Sequence, residues 1–253
     1  MLRFSVFHQW LAFVATCSLA QGVSAAEVAV AVAANFSAPM KIIAQKFEQD
    51  TGHPLRMSFG STGQFYSQIK NGAPYAVLLA ADERTPEKIE RERLGVAGSR
   101  ITYAIGKLVL WSKAAGVVDG DGTILTSGTF NRIAIANPKL APYGAAAVEV
   151  LNKLGLTDTL ASKIVEGSGV GQAFQFVASG NATIGFVALS QVYENGKIRD
   201  GSAWIVPQDL YQPIKQDAIL LNPGKDNPVA GSLLNYLQGD QARAVMRSFG
   251  YVH

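Results

Sequence analysis

Hydrophobic positions in this chain fall into short runs of two kinds that alternate. A compact apolar run in VAVAVAANF, Val28–Phe36, leads through Asn35 into a stretch to Gln49 in which Ile42, Ile43 and Phe47 recur at helical spacing. That stretch stops at Gly52, a residue suited to closing a helix. A strand that delivers an Asn to the first turn of a helix gathers free backbone N–H groups, a polar side chain and the positive end of a helix dipole. Such a point can hold an anion without Lys or Arg. An Asn there is also an ordinary N-cap, so the weight rests on whether the unit recurs.

It does recur. Leu55–Gly60 reads as a strand in which Leu55, Met57 and Phe59 alternate with polar positions; Ser61-Thr62-Gly63 follows, then a helix through Phe65 and Ile69 to Asn71-Gly72. Val77–Ala81 is continuously apolar, as expected of a strand buried on both faces of a parallel sheet. Charged residues 83–100 read as a solvated helix and connector, and Lys107–Ser112 as a strand opening a new block. Ile133–Asn137 leads into Pro142-Tyr143-Gly144 and a helix through Val148, Leu151 and Leu154, a third copy. The fourth is a strand over Lys163–Glu166, the loop Gly167–Gly171, and a helix over Gln172–Ala178. Ile184–Leu189 and Ala218–Leu221 read as buried strands, and 228–237 and 241–249 as closing amphipathic helices. Runs of this kind imply α/β layers with right-handed crossovers. Four loop-to-helix starts over two blocks suggest two lobes with a cleft between them, the chain crossing near 104–107 and returning near 215–221.

Composition adds mainly exclusions. The first 25 residues, with Arg3, an apolar stretch and Val23-Ser24-Ala25, read as a cleaved secretory leader. The single cysteine, Cys17, lies inside it, so the mature chain has no disulfide, thiolate nucleophile or cysteine metal site. A net charge of +3, including Arg3, and the lack of a basic run with interleaved aromatics argue against a nucleic-acid partner. GSGVG at Gly167–Gly171 fails the dinucleotide spacing because Gln172 stands where the third glycine belongs. Ser67-Gln68-Ile69-Lys70 matches S-x-x-K without its companion motifs, and the three histidines, His8, His53 and His253, form no cluster. A serine hydrolase built on Ser61 or Ser67 therefore lacks its base.

AVAANF with Met40, FGSTGQ, NGAPYAVLLAAD, NPKLAPYGAAAVEVL, GVGQAFQFVASGNATIGFVAL and the stretch from QPIKQDAILL to YLQ together resemble the periplasmic molybdate-binding proteins of ABC importers. The resemblance covers essentially the whole mature chain in order. It implies an α/β, two-lobed type II periplasmic binding protein fold with a ligand cleft between the lobes, residues 26–104 with 215–253 forming one lobe and 105–214 the other. It further implies a periplasmic, monomeric, non-enzymatic receptor without a cofactor, which binds molybdate, and usually tungstate, as a desolvated dianion and passes it to an inner-membrane ABC permease. Carried over by position, the ligand donors are Asn35 with the Ala34 N–H, Thr62 with Ser61 as the fallback, Tyr143 and Val170; none of them ligates a metal directly. Two positions depart from the family pattern: Ala188, where some members carry a tyrosine, and Ala76, where an acidic residue is frequent. A receptor for sulfate or phosphate and an apolar small-molecule binder are the competing readings.

Overall fold

The computed structural model describes residues 27–253; the segment read as a leader, Cys17 included, lies outside the described residues. In chain order the elements are β1 (Val28–Ala33), a 3-10 turn (Ala34–Phe36), α1 (Ser37–Thr51), β2 (Leu55–Gly60), α2 (Thr62–Lys70), β3 (Val77–Leu79), α3 (Arg84–Arg91) and β4 (Ile101–Gly106). There follow β5 (Leu108–Ser112), α4 (Ile124–Ser127), β6 (Ile133–Ala136), α5 (Pro142–Lys153), α6 (Thr157–Leu160), β7 (Ile164–Gly167), α7 (Val170–Ala178) and β8 (Ile184–Ala188). The chain ends with α8 (Leu189–Val192), the hairpin β9 (Tyr193–Glu194) and β10 (Lys197–Ile198), β11 (Ser202–Ile205), β12 (Ile214–Leu220), α9 (Pro228–Leu237) and α10 (Asp240–Ser248).

Two five-stranded sheets organise these elements, one in the order β2-β1-β3-β12-β4 and the other β11-β5-β8-β6-β7. Each is covered on both faces. In β1, Val28, Val30 and Val32 point into a core with Phe36, Met40, Ile43 and Phe47 of the α1 side, while Ala31 points into a second core with Phe65 and Ile69 of α2. In β5, Leu108 and Leu110 pack toward α5, and Val109 and Trp111 toward α7. The second sheet is inserted into the first: the chain leaves at Gly106, enters the other sheet at Leu108, and returns with β12 at Ile214.

Several expectations change in three dimensions. The first sheet is mixed, because β12 runs antiparallel to both β3 and β4, so Val77–Leu79 is buried without being purely parallel. Ala218–Leu220 is the end of a longer interior strand whose first half carries Lys215, Gln216 and Asp217 and so lacks an apolar signature, and Leu221 lies just past it. Strands β4 and β11 and the Asn195-Gly196 hairpin were not apparent from periodicity. Phe59 is 39% exposed, since β2 is an edge strand, and Leu154, just past the last turn of α5, is equally exposed. Helix α7 starts at Val170 instead of Gln172, with Gly169 in extended conformation at its N-cap.

Candidate functional site

Each of the four strand-to-helix units brings its junction to the same place between the sheets. A small cavity there is lined by Ala34 and Asn35 after β1, Ser61 and Thr62 at the start of α2, Pro142 and Tyr143 at the start of α5, and Val170 at the start of α7, with Ala33, Gly60, Ala81 and Ala141 completing the wall. All six residues named from the sequence are therefore together. Ala76 and Ala188, the two departures, do not line it. Ala76 packs beneath Gly224, and the Ala188 N–H donates to Gln191 Oε1 at 3.0 Å.

The donors are backbone and neutral. Val170 is the first and Tyr143 the second residue of its helix, and Thr62 is the first residue of α2, so their N–H groups have no acceptor four residues back within the helix. The helix dipoles add partial positive charge at the same point. Among the described residues, no Lys, Arg, Asp, Glu or His lines the cavity. Of the residues that line the cavity, two carry a buried polar atom with no hydrogen-bond partner, Asn35 Oδ1 and Ser61 Oγ. Buried unpaired polar groups are rare enough that each asks for a missing partner. Thr62 Oγ1 accepts the Ala81 N–H at 2.9 Å, which leaves its own proton to donate.

Asn35 is not an N-cap. It sits within the 3-10 turn, and its amide joins a buried network that the sequence reading missed. Its Nδ2 donates to Gln216 Oε1 and to Tyr251 Oη, both at 2.9 Å, while Gln216 Nε2 donates to Tyr143 Oη at 3.0 Å. Ser190 Oγ donates to the Asn35 carbonyl at 2.7 Å. Gln216 carried a usable signal, an amide inside a strand otherwise turning apolar; Tyr251, two residues from the chain end, carried none. Burial holds the phenols of Tyr103 and Tyr143 well above the usual tyrosine range and pushes Tyr251 up to about 12, so all three stay neutral at ordinary pH.

The sides of the cleft meet closely. The Gly63 N–H donates to the Leu140 carbonyl at 2.9 Å. A Cβ on Gly171 would lie 3.2 Å from Ala34 Cβ, and one on Gly106 only 2.0 Å from Tyr143 Oη. Glycine at Gly106 lets the strand end pass against the network.

Two α/β sheets, one inserted into the other, that meet at a small cavity walled by helix starts and neutral donors have the architecture of a receptor for a small solute. The chain belongs to the bacterial extracellular solute-binding proteins, whose family model matches residues 28–252. Among its relatives, the molybdate-binding protein ModA of Azotobacter vinelandii is 62% identical over 233 residues, covering 92% of each chain. ModA of Rhodobacter capsulatus is 50% identical over 234 residues, covering 92% of this chain and 91% of its own. The solved structure of an Azotobacter vinelandii periplasmic molybdate-binding protein superposes with a TM-score of 0.87 at 43% identity, covering 90% of this chain and 99% of that one.

Proposed function

We propose that this chain captures molybdate as an intact tetrahedral dianion, with tungstate, of like shape and charge, taken by the same site, and delivers it to an ABC permease of the inner membrane. It is exported through a cleaved leader and acts in the periplasm as a monomer. Residues 26–104 with 215–253 form one lobe and 105–214 the other, hinged around Gly106 and Ile214. Ala34, Asn35, Ser61, Thr62, Tyr143 and Val170 hold the anion.

The observation that carries this reading is the cavity itself: three α-helix starts and a 3-10 turn, the unpartnered Ser61 hydroxyl and no charged side chain. Neutral donors stabilise a dianion because hydrogen bonds to ionised acceptors are roughly twice as strong as neutral ones. They also accept the anion without titrating, so discrimination among tetrahedral oxyanions falls to cavity size and donor geometry.

Calorimetric titration of residues 26–253, stripped of ligand, tests this directly. Molybdate is expected to saturate one site per chain, with tungstate competing and sulfate and phosphate far weaker. Asn35→Ala is expected to weaken binding roughly ten- to a hundredfold. Saturation by sulfate in preference to molybdate would reassign the ligand, and no heat with any of the four anions would end the oxyanion reading.

A further inference from the structure

The protons around Gln216 do not match the acceptors. Gln216 is fully buried on β12 of the first sheet, and its Oε1 faces both Asn35 Nδ2 at 2.9 Å and Tyr103 Oη at 3.0 Å. Tyr103 Oη also lies 2.8 Å from the Ala80 carbonyl. A phenol carries one proton, so either the Ala80 carbonyl goes without it or Tyr103 Oη is set against Gln216 Oε1 with no proton between them. On the other side of the network, the acceptor Asn35 Oδ1 is buried with no donor at all.

Turning both carboxamides over, within the same volume, removes both faults. Gln216 Nε2 then donates to Tyr103 Oη and Asn35 Oδ1, freeing the Tyr103 proton for Ala80. Gln216 Oε1 takes the Tyr143 proton, and the Tyr251 hydroxyl, which lies 3.0 Å from both the Asn35 carbonyl and Ser190 Oγ, donates to Asn35 Oδ1 and leaves that carbonyl the Ser190 proton at 2.7 Å. Asn35 Nδ2 then takes the place of the unpartnered Oδ1, on a residue that lines the cavity. Neither amide can turn alone. A turned Asn35 would set oxygen against Gln216 Oε1, and a turned Gln216 would set nitrogen against Asn35 Nδ2.

We propose that Gln216 is the positioning residue of this site: coupled to Asn35, it holds both amides in the turned orientation in the anion-bound protein, so that the anion meets the Asn35 amide N–H groups, while the Tyr143 phenol is engaged by Gln216 and Tyr143 reaches the anion through its backbone N–H. The assignment rests on the oxyanion reading and adds to it the mechanism by which Asn35 presents a donor instead of an acceptor.

A double-mutant cycle tests it, with molybdate titrated into the wild type, Gln216→Met, Asn35→Ala and the double variant. Gln216→Met is expected to weaken binding roughly tenfold or more, and in the Asn35→Ala background to add less than about threefold. Losses that simply multiply would overturn the proposal, because a Gln216 acting only on packing does not depend on the Asn35 amide. Should Gln216→Met fail to fold, the wild-type protein with molybdate bound and ¹⁵N-labelled side-chain amides decides the matter. Cross-relaxation from the Gln216 amide protons to the Tyr103 ring is expected, and cross-relaxation to the Tyr143 ring alone would overturn it. Wild-type protein that binds no oxyanion overturns the oxyanion reading and this proposal together; wild-type binding with multiplying losses overturns this proposal alone.

Discussion

Thr62 serves two neighbours through one hydroxyl: its oxygen accepts the buried Ala81 N–H, and its proton is free for the cavity. Valine has the same shape and neither capacity. Thr62→Val therefore leaves the Ala81 N–H buried without a partner, which is expected to cost roughly 1–3 kcal/mol of stability. The proposed anion should bind roughly ten- to a hundredfold more weakly, since a donor to a charged ligand is lost as well. Thr62→Ser keeps both bonds and is expected to restore most of each. Thermal unfolding of the ligand-free proteins beside an anion titration separates the two effects, and equal behaviour of the Val and Ser variants would remove Thr62 from the site. The choice between Ser61 and Thr62 was not legible in the sequence, where both are small hydroxyl residues in one loop. Each lines the cavity, but Thr62 is anchored to the wall by Ala81 whereas Ser61 Oγ is unpartnered.

At the scale of elements, the starts of helices do the work, and their spacing across the cleft is set by small residues. Helix α7 approaches the turn after β1 so closely that a methyl group on Gly171 would lie 3.2 Å from the Ala34 Cβ. Gly171 lies in the first turn of α7, where alanine is a good helix former, so Gly171→Ala should not weaken the isolated lobe. It should oppose the approach of the lobes by an overpacking cost of roughly 1–3 kcal/mol. The expected result is a several-fold or greater loss of anion affinity with no fall in the melting temperature of the ligand-free protein. A parallel fall in both would place the strain within a lobe instead of across the cleft. The recurring strand, loop and helix unit was readable because its apolar periods switch from strand to helix at a small polar loop. The start of α7 was misplaced by two residues because Val170 and Gly171 look like more of the glycine-rich loop; the turn ends where Gly169 takes the extended N-cap conformation.

For the whole molecule, the buried tyrosines couple folding to alkaline pH. Tyr251 is pushed up to about 12, and Tyr103 and Tyr143 are also raised, all chiefly by burial. Because the folded protein keeps these protons when the unfolded chain has begun to lose them, stability is fully present below about pH 10, the ordinary tyrosine value, and is lost as pH rises toward and through the folded values. Each such tyrosine steepens the decline by up to about 1.4 kcal/mol per pH unit. Denaturant unfolding between about pH 9 and 12 is expected to show this decline, and Tyr251→Phe to flatten it; a slope unchanged by that substitution would assign the decline to other groups. The alternating pattern of strands and helices, the four junctions and the motifs that resemble a known family all follow from the sequence alone, because they depend on local periodicity and on residues close together in the chain. The mixed character of the first sheet, the exposure of Phe59 and the network of Asn35, Tyr103, Tyr143, Gln216 and Tyr251 were decided only by the tertiary structure. That network joins side chains up to 216 positions apart, and each hydroxyl or amide in it acts as donor or acceptor according to which neighbours the fold places beside it.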